Sequence, residues 1–397
     1  MRRVVVLCVV LLIAACADTG KKHYPKLAPV DAAAAVEPLW VAKVGEKSDR
    51  QHRQLPVAVA DDRVYAASAR GQIMALQQSD GKIIWTNAII DAISAGPVVD
   101  ADMLYVGTTD ARVFALAADS GRIVWQGDVS SEVLSNPVVS ENLVYIQTID
   151  GKLTALDKTT GKKIWVDARE VPALTLRGTS TPLVINDKVV AGFADGKLVA
   201  LQKATGKRLW EAVIGIPGGR TDLQRMVDID GLFQAGDDEI YVVTYQGRIA
   251  AVAVDTGRII WSRDLSSYNG IVIDNTQLYV TDANSQVWAL DRRSGATIWR
   301  QDALQDRDVS APVIIDNVIA VADGAGYVHW LAKEDGGFVA RNNLLKVFNH
   351  AYHDWGDEDR RELDFGVSAN LEAINGKLYV RSNVGSLSVF QMSAPVN

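Results

Sequence analysis

The 397-residue sequence has almost no cysteine: its two cysteines, Cys8 and Cys16, both lie near the amino terminus. The rest of the chain can form no disulfide, so its stability has to come from packing alone. Histidine is also scarce, with five in the whole chain. The sequence suggests no Ser-His-Asp or Cys-His set, which argues against nucleophilic catalysis of that kind.

Positive charge is not in excess either. Lys and Arg number 41 against 48 Asp and Glu, for a net charge of −7. If a signal sequence is removed, Arg2 and Arg3 leave with it and the net charge becomes −9. A surface of this sign disfavours nucleic acid and anionic lipid as partners. We therefore expect no nucleic acid partner.

An apolar run from Val4 to Ala15 follows Met1-Arg2-Arg3. It is too short to cross a bilayer and is typical of a secretory signal, so we expect residues 1–15 to be a signal peptide. The run ends in Leu12-Ile13-Ala14-Ala15-Cys16, which resembles a bacterial lipobox. Lipidation of Cys16 would then leave residues 16–37 as a tether. The alternative is an ordinary signal peptide in which Cys16 is incidental.

The main pattern of the chain is a unit seen most clearly from Asn136 to Trp165. It contains three short runs of alternating apolar and polar residues, separated by turn residues, and a Gly-to-Trp entry into a fourth run. The unit recurs with a Trp spacing of 38 to 51 residues, and a Gly stands four residues before each Trp; these tryptophans are Trp85, Trp125, Trp165, Trp210, Trp261 and Trp299. A period near 40 with four strands predicts the blades of a β-propeller.

Degenerate copies of the unit bring the number of blades to eight. The aligned second-strand positions are Tyr65, Tyr105, Tyr145, Val190, Tyr241, Tyr279, Ile319 and Tyr379. The last copy lacks a fourth strand, whereas residues 38–44 resemble an outer strand with no blade before it. Pairing the two would close the ring and remove two open sheet edges. We predict an all-β, eight-bladed propeller of four-stranded antiparallel blades over residues 38–393.

The recurring tryptophans have two interpretations. A ring of Trp side chains can form the floor of a quinone site, which would make them cofactor residues. Because each stands at a fixed distance from a turn Gly, we interpret them instead as wedges between neighbouring blades. On this interpretation the chain needs no cofactor.

Three links between blades are longer than the rest: Val166 to Thr181, Glu211 to Gly231, and Arg341 to Gly366. The first two flank the fourth blade, so we predict that they lie side by side on one face. Leu174 and Leu176 alternate in the first of these links without a strand partner to bury them. Apolar side chains in a surface loop beside fixed charges predict a binding patch. The alternative is that both leucines pack under their own loop.

Three features together carry a family resemblance: the lipobox, the eight repeats, and the sequences Leu174-Thr175-Leu176-Arg177-Gly178 and Asp228-Ile229-Asp230. The chain resembles the BamB family, lipoprotein subunits of the outer-membrane β-barrel assembly (BAM) machinery. The resemblance implies docking onto the periplasmic POTRA domains of the barrel subunit BamA. Leu174 and Leu176 would be apolar contacts, Arg177 the cationic contact, and Asp228 and Asp230 its acidic companions. The two carboxylates have a second possible role, which is to orient Arg177.

The same resemblance implies a non-catalytic scaffold at the periplasmic face of the outer membrane. Ala17 after Cys16 agrees with that destination, by the sorting rule familiar from enteric bacteria. Nascent outer-membrane proteins would be further partners, held by strand addition to exposed outer strands. A periplasmic scaffold for a different client remains an alternative.

An enzyme is the alternative from another class. Pyrroloquinoline-quinone dehydrogenases use similar blades, but they often carry adjacent cysteines and need calcium ligands in the funnel. Two local motifs also invite a chemical interpretation. His350 and His353 stand near acidic residues, but we predicted no helix to align them on a metal, so we expect no metal site. The Gly-rich stretch 215–219 lacks the Lys-Ser/Thr of a phosphate loop.

Overall fold

A computed structural model describes residues 22–45, 55–176, 178–352 and 365–392 of the chain. Within them the chain forms eight antiparallel sheets of four strands each, arranged as the blades of a closed propeller. The predicted fold class is therefore confirmed. Cys16 and Arg177 lie outside the described residues, so their predicted roles remain predictions.

Blade 8 contains the first strand of the chain, and the other blades follow in order. The closing strand is β1 (Val36–Lys43). Blade 1 consists of β2 (Ala58–Ala60), β3 (Arg63–Ala67), β4 (Gln72–Gln77) and β5 (Ile83–Ala88). Blade 2 consists of β6 (Ile93–Asp100), β7 (Met103–Thr108), β8 (Arg112–Ala117) and β9 (Ile123–Asp128). Blade 3 consists of β10 (Val138–Ser140), β11 (Leu143–Thr148), β12 (Lys152–Asp157) and β13 (Lys163–Ala168).

The fourth to sixth blades keep the same plan. Blade 4 consists of β14 (Leu183–Ile185), β15 (Lys188–Gly192), β16 (Lys197–Gln202) and β17 (Arg208–Val213). Blade 5 consists of β18 (Gln234–Ala235), β19 (Glu239–Val243), β20 (Arg248–Ala253) and β21 (Ile259–Asp264). Blade 6 consists of β22 (Ile271–Ile273), β23 (Gln277–Thr281), β24 (Val287–Asp291) and β25 (Thr297–Gln301).

The last two blades differ from this plan in their details. Blade 7 consists of β26 (Val313–Ile315), β27 (Val318–Ala322), β28 (Tyr327–Ala332) and β29 (Phe338–Asn343). A helix, α1 (Leu344–Ala351), follows it directly. Blade 8 adds β30 (Glu372–Ile374), β31 (Lys377–Arg381) and β32 (Ser386–Met392) to the closing strand. A short 3-10 helix, Leu223–Arg225, lies in the link between blades 4 and 5.

The ring closes through β1, as the sequence predicted. This strand pairs antiparallel with β32, and Trp40 lies opposite Val389, which in turn lies opposite Tyr379. Blade 3 has the same arrangement, in which one residue of the third strand pairs with both the Trp and the Tyr: Ala155 pairs with Trp165 and with Tyr145. The amino-terminal strand therefore supplies the fourth strand of blade 8 and its tryptophan, so neither end of the array leaves an unpaired edge.

The tryptophans are wedges between blades, and the cofactor interpretation does not fit their positions. The indole Nε1 of Trp125 donates a hydrogen bond to the Lys158 carbonyl of the next blade, at 2.8 Å. Gly161 of that blade has φ +70°, and a Cβ there would lie 2.5 Å from the Trp125 ring. Seven tryptophans donate to the following blade in this way: Trp40, Trp85, Trp125, Trp165, Trp210, Trp261 and Trp299.

The junction between blades 7 and 8 is built differently. In blade 7 the tryptophan has moved to the third strand, where Trp330 pairs with Ala320 and with Ala340 of the fourth strand. The second-strand position is therefore Ala320, and the predicted Ile319 is wrong by one residue, because no Tyr marks the register there. Trp330 is fully buried and packs against Phe390 of blade 8.

Helix α1 was not predicted, and it covers this junction. It is capped by Asn343, whose side chain accepts a hydrogen bond from the Lys346 amide, and it buries Leu344 and Phe348. Phe348 packs in the same apolar cluster as Trp330 and Phe390. Among the described residues no helix is long and apolar enough to cross a membrane.

Candidate functional site

The candidate site lies on the end of the propeller where each blade is linked to the next. Because the four strands of a blade alternate in direction, the blade-to-blade links and the turns between second and third strands lie at the same end. We call this end the link face. It carries the two long links of residues 169–182 and 214–233, on either side of blade 4. We call these two links together the docking patch, after the binding role that the sequence predicts for them.

The two links are in contact, as predicted from their positions in the repeat. The Leu176 amide donates a hydrogen bond to Oδ1 of Asp228, at 2.9 Å. The second link continues over blade 4, where the Ile229 amide donates to the Phe193 carbonyl and the Ile229 side chain packs close to Gly192. The bond from Leu176 therefore joins the two links, and the contacts of Ile229 hold the second link on blade 4.

The structure gives the predicted site residues different environments. Leu174 is 42% exposed, whereas Leu176 is half-buried beside its bond to the second link. Asp228 is 1% exposed and lies beneath the first link. Asp230 is partly buried and lies against Gly178. Leu174 is thus the one of these four residues that presents most of its side chain to an incoming partner.

Burial affects the ionisation of the two carboxyl groups. It raises the pKa of Asp228 to about 6, although the bond from the Leu176 amide works in the opposite direction. Burial, together with the nearby charge of Asp228, raises the pKa of Asp230 to about 8. The Oδ2 atoms of both groups are buried and have no hydrogen-bond partner in the part of the chain that the structure describes. For Asp228 the effect of burial on the pKa therefore exceeds that of the bond from the Leu176 amide.

Arg169 fixes the beginning of the first link, and the sequence reasoning missed it. Its side chain is 7% exposed and forms an ion pair with Glu211 of blade 4. Its guanidinium lies 4.8 Å from the centre of the Phe193 ring. The hydrogen bond from Arg169 holds the pKa of Glu211 below its usual value. No local pattern reveals this role, because Glu211 and Phe193 belong to the neighbouring blade.

Two depressions meet at Asp230. One lies on the propeller axis and includes Asp230, Tyr268 and Asn269. The other lies between blades 3 and 4 and is lined by residues of both long links, including Thr175, Gly178, Ile229 and Asp230. The docking patch therefore borders the mouth of the central channel.

The two motifs that invited a chemical interpretation lie elsewhere. His350 is in the last turn of α1, so the expectation that no helix occurs there was wrong, whereas His353 and the acidic residues after it lie outside the described residues. In the described ranges no group of three or more His, Cys, Asp or Glu could hold a metal ion. Residues 215–219 belong to the second long link.

Comparison with known proteins identifies the family. Residues 30–92 and 88–301 match a family model described as outer membrane protein assembly factor BamB. A protein of that name from Alkalilimnicola ehrlichii is 49% identical over 343 residues, which cover 86% of this chain and 88% of the relative. Another from Pseudomonas aeruginosa is 41% identical over 386 residues, which cover 97% of both chains.

Solved structures agree with this assignment. The crystal structure of BamB from Moraxella catarrhalis superposes with a TM-score of 0.76 at 27% identity, covering 88% of this chain and 99% of that one. A quinohemoprotein alcohol dehydrogenase from Comamonas testosteroni has a TM-score of 0.69 at 12% identity, which shows a shared fold alone. The relatives that share the sequence are assembly factors and not dehydrogenases, so the enzyme alternative is set aside. The chain belongs to the BamB family of outer membrane protein assembly factors.

Proposed function

We propose that this protein is a lipid-anchored, non-catalytic scaffold of the BAM complex, which docks onto the POTRA domains of BamA and assists folding and insertion of outer-membrane β-barrel proteins. The names of its relatives support the role in outer membrane protein assembly. The observation that carries the docking proposal is the docking patch itself: two long links, held against each other, with apolar side chains exposed between charged ones.

The distribution of exposed apolar side chains favours this patch. Apart from the outer strands, the described residues expose six large apolar side chains, and all six lie in links on the link face: Ile90, Val171, Leu174, Ile216, Leu223 and Tyr268. Four of the six belong to the docking patch. Apolar groups concentrated beside polar ones are typical of a protein interface.

The charged residues have separable roles in this proposal. Asp228 is buried and bonds the Leu176 amide, so it supports the shape of the patch from below. Asp230 is partly buried at the edge of the central depression. Arg177 follows Leu176 directly in the sequence and is proposed as the cationic contact with the POTRA domain.

The anchor completes the proposal. Acylation of Cys16 would attach the protein to the periplasmic face of the outer membrane, and the following residues 16–37 would connect the lipid to the propeller at residues 38–393. A lipid on one end and a POTRA domain on the patch would hold the barrel subunit close to the membrane.

Nascent outer-membrane proteins are a second class of partner, and the outer strands favour them. These edge strands expose pairs of apolar residues, such as Ile83 with Ile84 and Ile259 with Ile260. An extended client strand could add to such an edge through backbone hydrogen bonds. This partner would use the rim of the disc and leave the docking patch free.

Leu174→Asp tests the docking proposal. The substitution places a charge at an exposed apolar position of the patch, so we expect loss of binding to the purified POTRA region of BamA in titration calorimetry. The circular dichroism spectrum and the melting temperature should be unchanged. Ile90→Asp is the matched control, because Ile90 is 93% exposed on the same face but outside the patch. Normal binding by both variants would show that the patch is not the docking site. Retention of another periplasmic protein, and not of the POTRA region, would favour the scaffold with a different client.

A further inference from the structure

The part of the predicted tether that the structure describes lies against blade 7. We call residues 22–35 the strap. At its start Lys22 pairs with Asp308 at 2.6 Å, and the Tyr24 hydroxyl donates to the same carboxylate at 3.1 Å. Near its end the Ala33 amide donates to the Val339 carbonyl at 2.8 Å. Between these points Leu27 packs against the apolar cluster shared by blades 6 and 7.

Blade 7 carries a buried charged cluster beneath the strap. Arg307, Asp323 and His329 are each at most 3% exposed. Arg307 donates from Nε to Oδ2 of Asp323 at 2.7 Å, and Nε2 of His329 lies 3.0 Å from the same oxygen. Arg341 Nε donates to Nδ1 of His329 at 3.1 Å. Since an Arg nitrogen can only donate, Nδ1 is the acceptor and Nε2 carries the proton that bonds Asp323.

The strap completes this cluster with its backbone. Nη1 of Arg307 donates to the Pro25 carbonyl, and Nη1 of Arg341 donates to the Ala28 carbonyl at 2.7 Å. The Arg307 guanidinium also lies near two aromatic rings, 5.7 Å from the centre of the Tyr24 ring and 5.8 Å from that of Tyr327. Charge-assisted bonds of this kind are stronger than neutral ones, and the bond from Arg307 is partly buried.

Gly324 provides the space in which Tyr24 lies. A Cβ at this position would overlap the Tyr24 hydroxyl, and it would also approach Asp308. The φ of Gly324 does not lie in the left-handed region, so the backbone itself does not require glycine there. The glycine is therefore explained by its contact with the strap and not by the backbone conformation of its turn.

These contacts place the start of the strap on the link face. Asp308 belongs to the link between blades 6 and 7, and Gly324 belongs to the turn between the second and third strands of blade 7. The docking patch lies on the same face, around blade 4. From Lys22 back to Cys16 is six residues, a reach of at most about 20 Å, whereas a free tether back from Val36 would reach about 70 Å.

We propose that blade 7 holds residues 22–35 as an intramolecular strap, which shortens the lipid tether and keeps the link face, with its docking patch, toward the membrane. The inference rests on the acylation of Cys16 that forms part of the proposed function. The contacts that carry the inference are made by the strap and not by the docking patch. The strap proposal and the docking proposal can therefore fail separately.

Two variants release the strap from opposite sides. Gly324→Ala fills the space occupied by the Tyr24 hydroxyl, and the double substitution Lys22→Ala with Tyr24→Ala removes the strap side chains without touching the propeller. Gly337→Ala is the matched control, since Gly337 lies on the same blade at its opposite end and has no left-handed φ. Hydrogen exchange of the peptide 22–35 is measured on the full chain with Cys16→Ser, which cannot be acylated at that position. It reports binding of the strap to blade 7 without the lipid. We expect faster exchange in both release variants and no change in the control.

The orientation is measured on the acylated protein in vesicles. Because the mature chain has no other cysteine, a single Cys can carry a fluorophore at Thr109 on the link face or at Asn142 on the opposite face. With a quencher attached to the lipid chains, we expect stronger quenching at the link face, and loss of this difference in both release variants. Equal quenching of the two labels in the otherwise unchanged protein would overturn the proposal. Slow hydrogen exchange of the peptide 22–35 that stays the same in the release variants would also overturn it. Absence of the acyl group, seen by mass spectrometry of the Cys16 peptide, would instead overturn the proposed anchor.

Discussion

Seven of the eight junctions between blades follow one plan, and the junction between blades 7 and 8 does not. In the seven, a Trp from the fourth strand of one blade packs on a turn Gly of the next and donates to a nearby carbonyl. At the exception Ala340 occupies the Trp position, while Trp330, Phe390 and Phe348 of α1 fill the space. The repeated plan needs two residues at fixed positions, whereas the exception needs an inserted helix.

The difference teaches where this fold accepts additions. Where a Trp must fit against a left-handed Gly, neither residue can change alone, so the junction constrains both blades. The junction between blades 7 and 8 is free of that constraint, because it has no Trp–Gly pair. Helix α1 packs there, with Leu344 and Phe348 in the apolar cluster of that junction.

Trp125→Ala should lower the free energy of unfolding by about 3–5 kcal/mol, because it leaves a cavity between blades 2 and 3 and removes the bond to the Lys158 carbonyl. Denaturant unfolding and the melting temperature measure the loss. Val124→Ala is the control, since Val124 is 44% exposed on the same strand and should change stability by about 0.5 kcal/mol or less. Equal losses in the two variants would show that the Trp is not a wedge.

Gly161→Ala should destabilise the protein more than Gly376→Ala does, although the two glycines have nearly the same φ, +70° and +69°. Each variant should lose about 1–2 kcal/mol of stability, because alanine has to adopt a left-handed conformation. At Gly161 the new methyl group would also meet the Trp125 ring, which adds about 1–3 kcal/mol, whereas near Gly376 the closest atom lies 3.9 Å away. Thermal unfolding of the pair isolates the contact, and similar melting temperatures would contradict it.

Asn343→Ala should destabilise the protein by about 1 kcal/mol, because it removes the side-chain cap from the first turn of α1. Asn343→Asp retains an acceptor for the Lys346 amide and should restore most of the loss. Chemical denaturation of the two variants shows whether α1 contributes to the exceptional junction. If neither variant differs from the parent chain, the helix only covers the junction.

Glu372→Gln should make stability less dependent on pH. Burial raises the pKa of Glu372 from 4.5 to about 7, so the folded state retains a proton that the unfolded state has lost. Stability therefore falls as pH rises from about 4.5 to about 7, an effect that we set below about 1 kcal/mol because the side chain is partly exposed. The equivalent residue of blade 5 is Gln234, so the variant copies a residue that the fold already accepts. A parent and variant with parallel pH profiles of melting temperature would contradict this.

Several features could be predicted from the sequence because they depend on residues close together in the chain. The Gly and Trp of each repeat, the turns between strands and the missing last strand are all local signals. The prediction of the second-strand position of blade 7 was wrong by one residue, because that local signal is missing: no Tyr marks the position. Helix α1 was missed although Leu344 and Phe348 stand four residues apart, because the insertion was interpreted as a polar loop.

The candidate site was predictable only in part. The adjacency of the two long links followed from their places on either side of one blade, and the bond from Leu176 to Asp228 confirms it. The burial of Asp228 did not follow, since a polar residue in a link is ordinarily expected at the surface. The contribution of Arg169 depends on Glu211, 42 residues later, and no periodic pattern connects the two.

The number of blades, the closure of the ring by the first strand and the wedge residues between blades can all be read from the amino-acid sequence. Each of these features recurs at the spacing of the repeat or completes a repeat, so the regular spacing reveals it. The folded structure was needed to show which carboxyl groups are buried, what fills the junction between blades 7 and 8, and where residues 22–35 lie. The contacts of Lys22, Tyr24 and Pro25 join residues more than 280 positions apart, and such contacts exist only once the closed ring brings the two ends of the chain together.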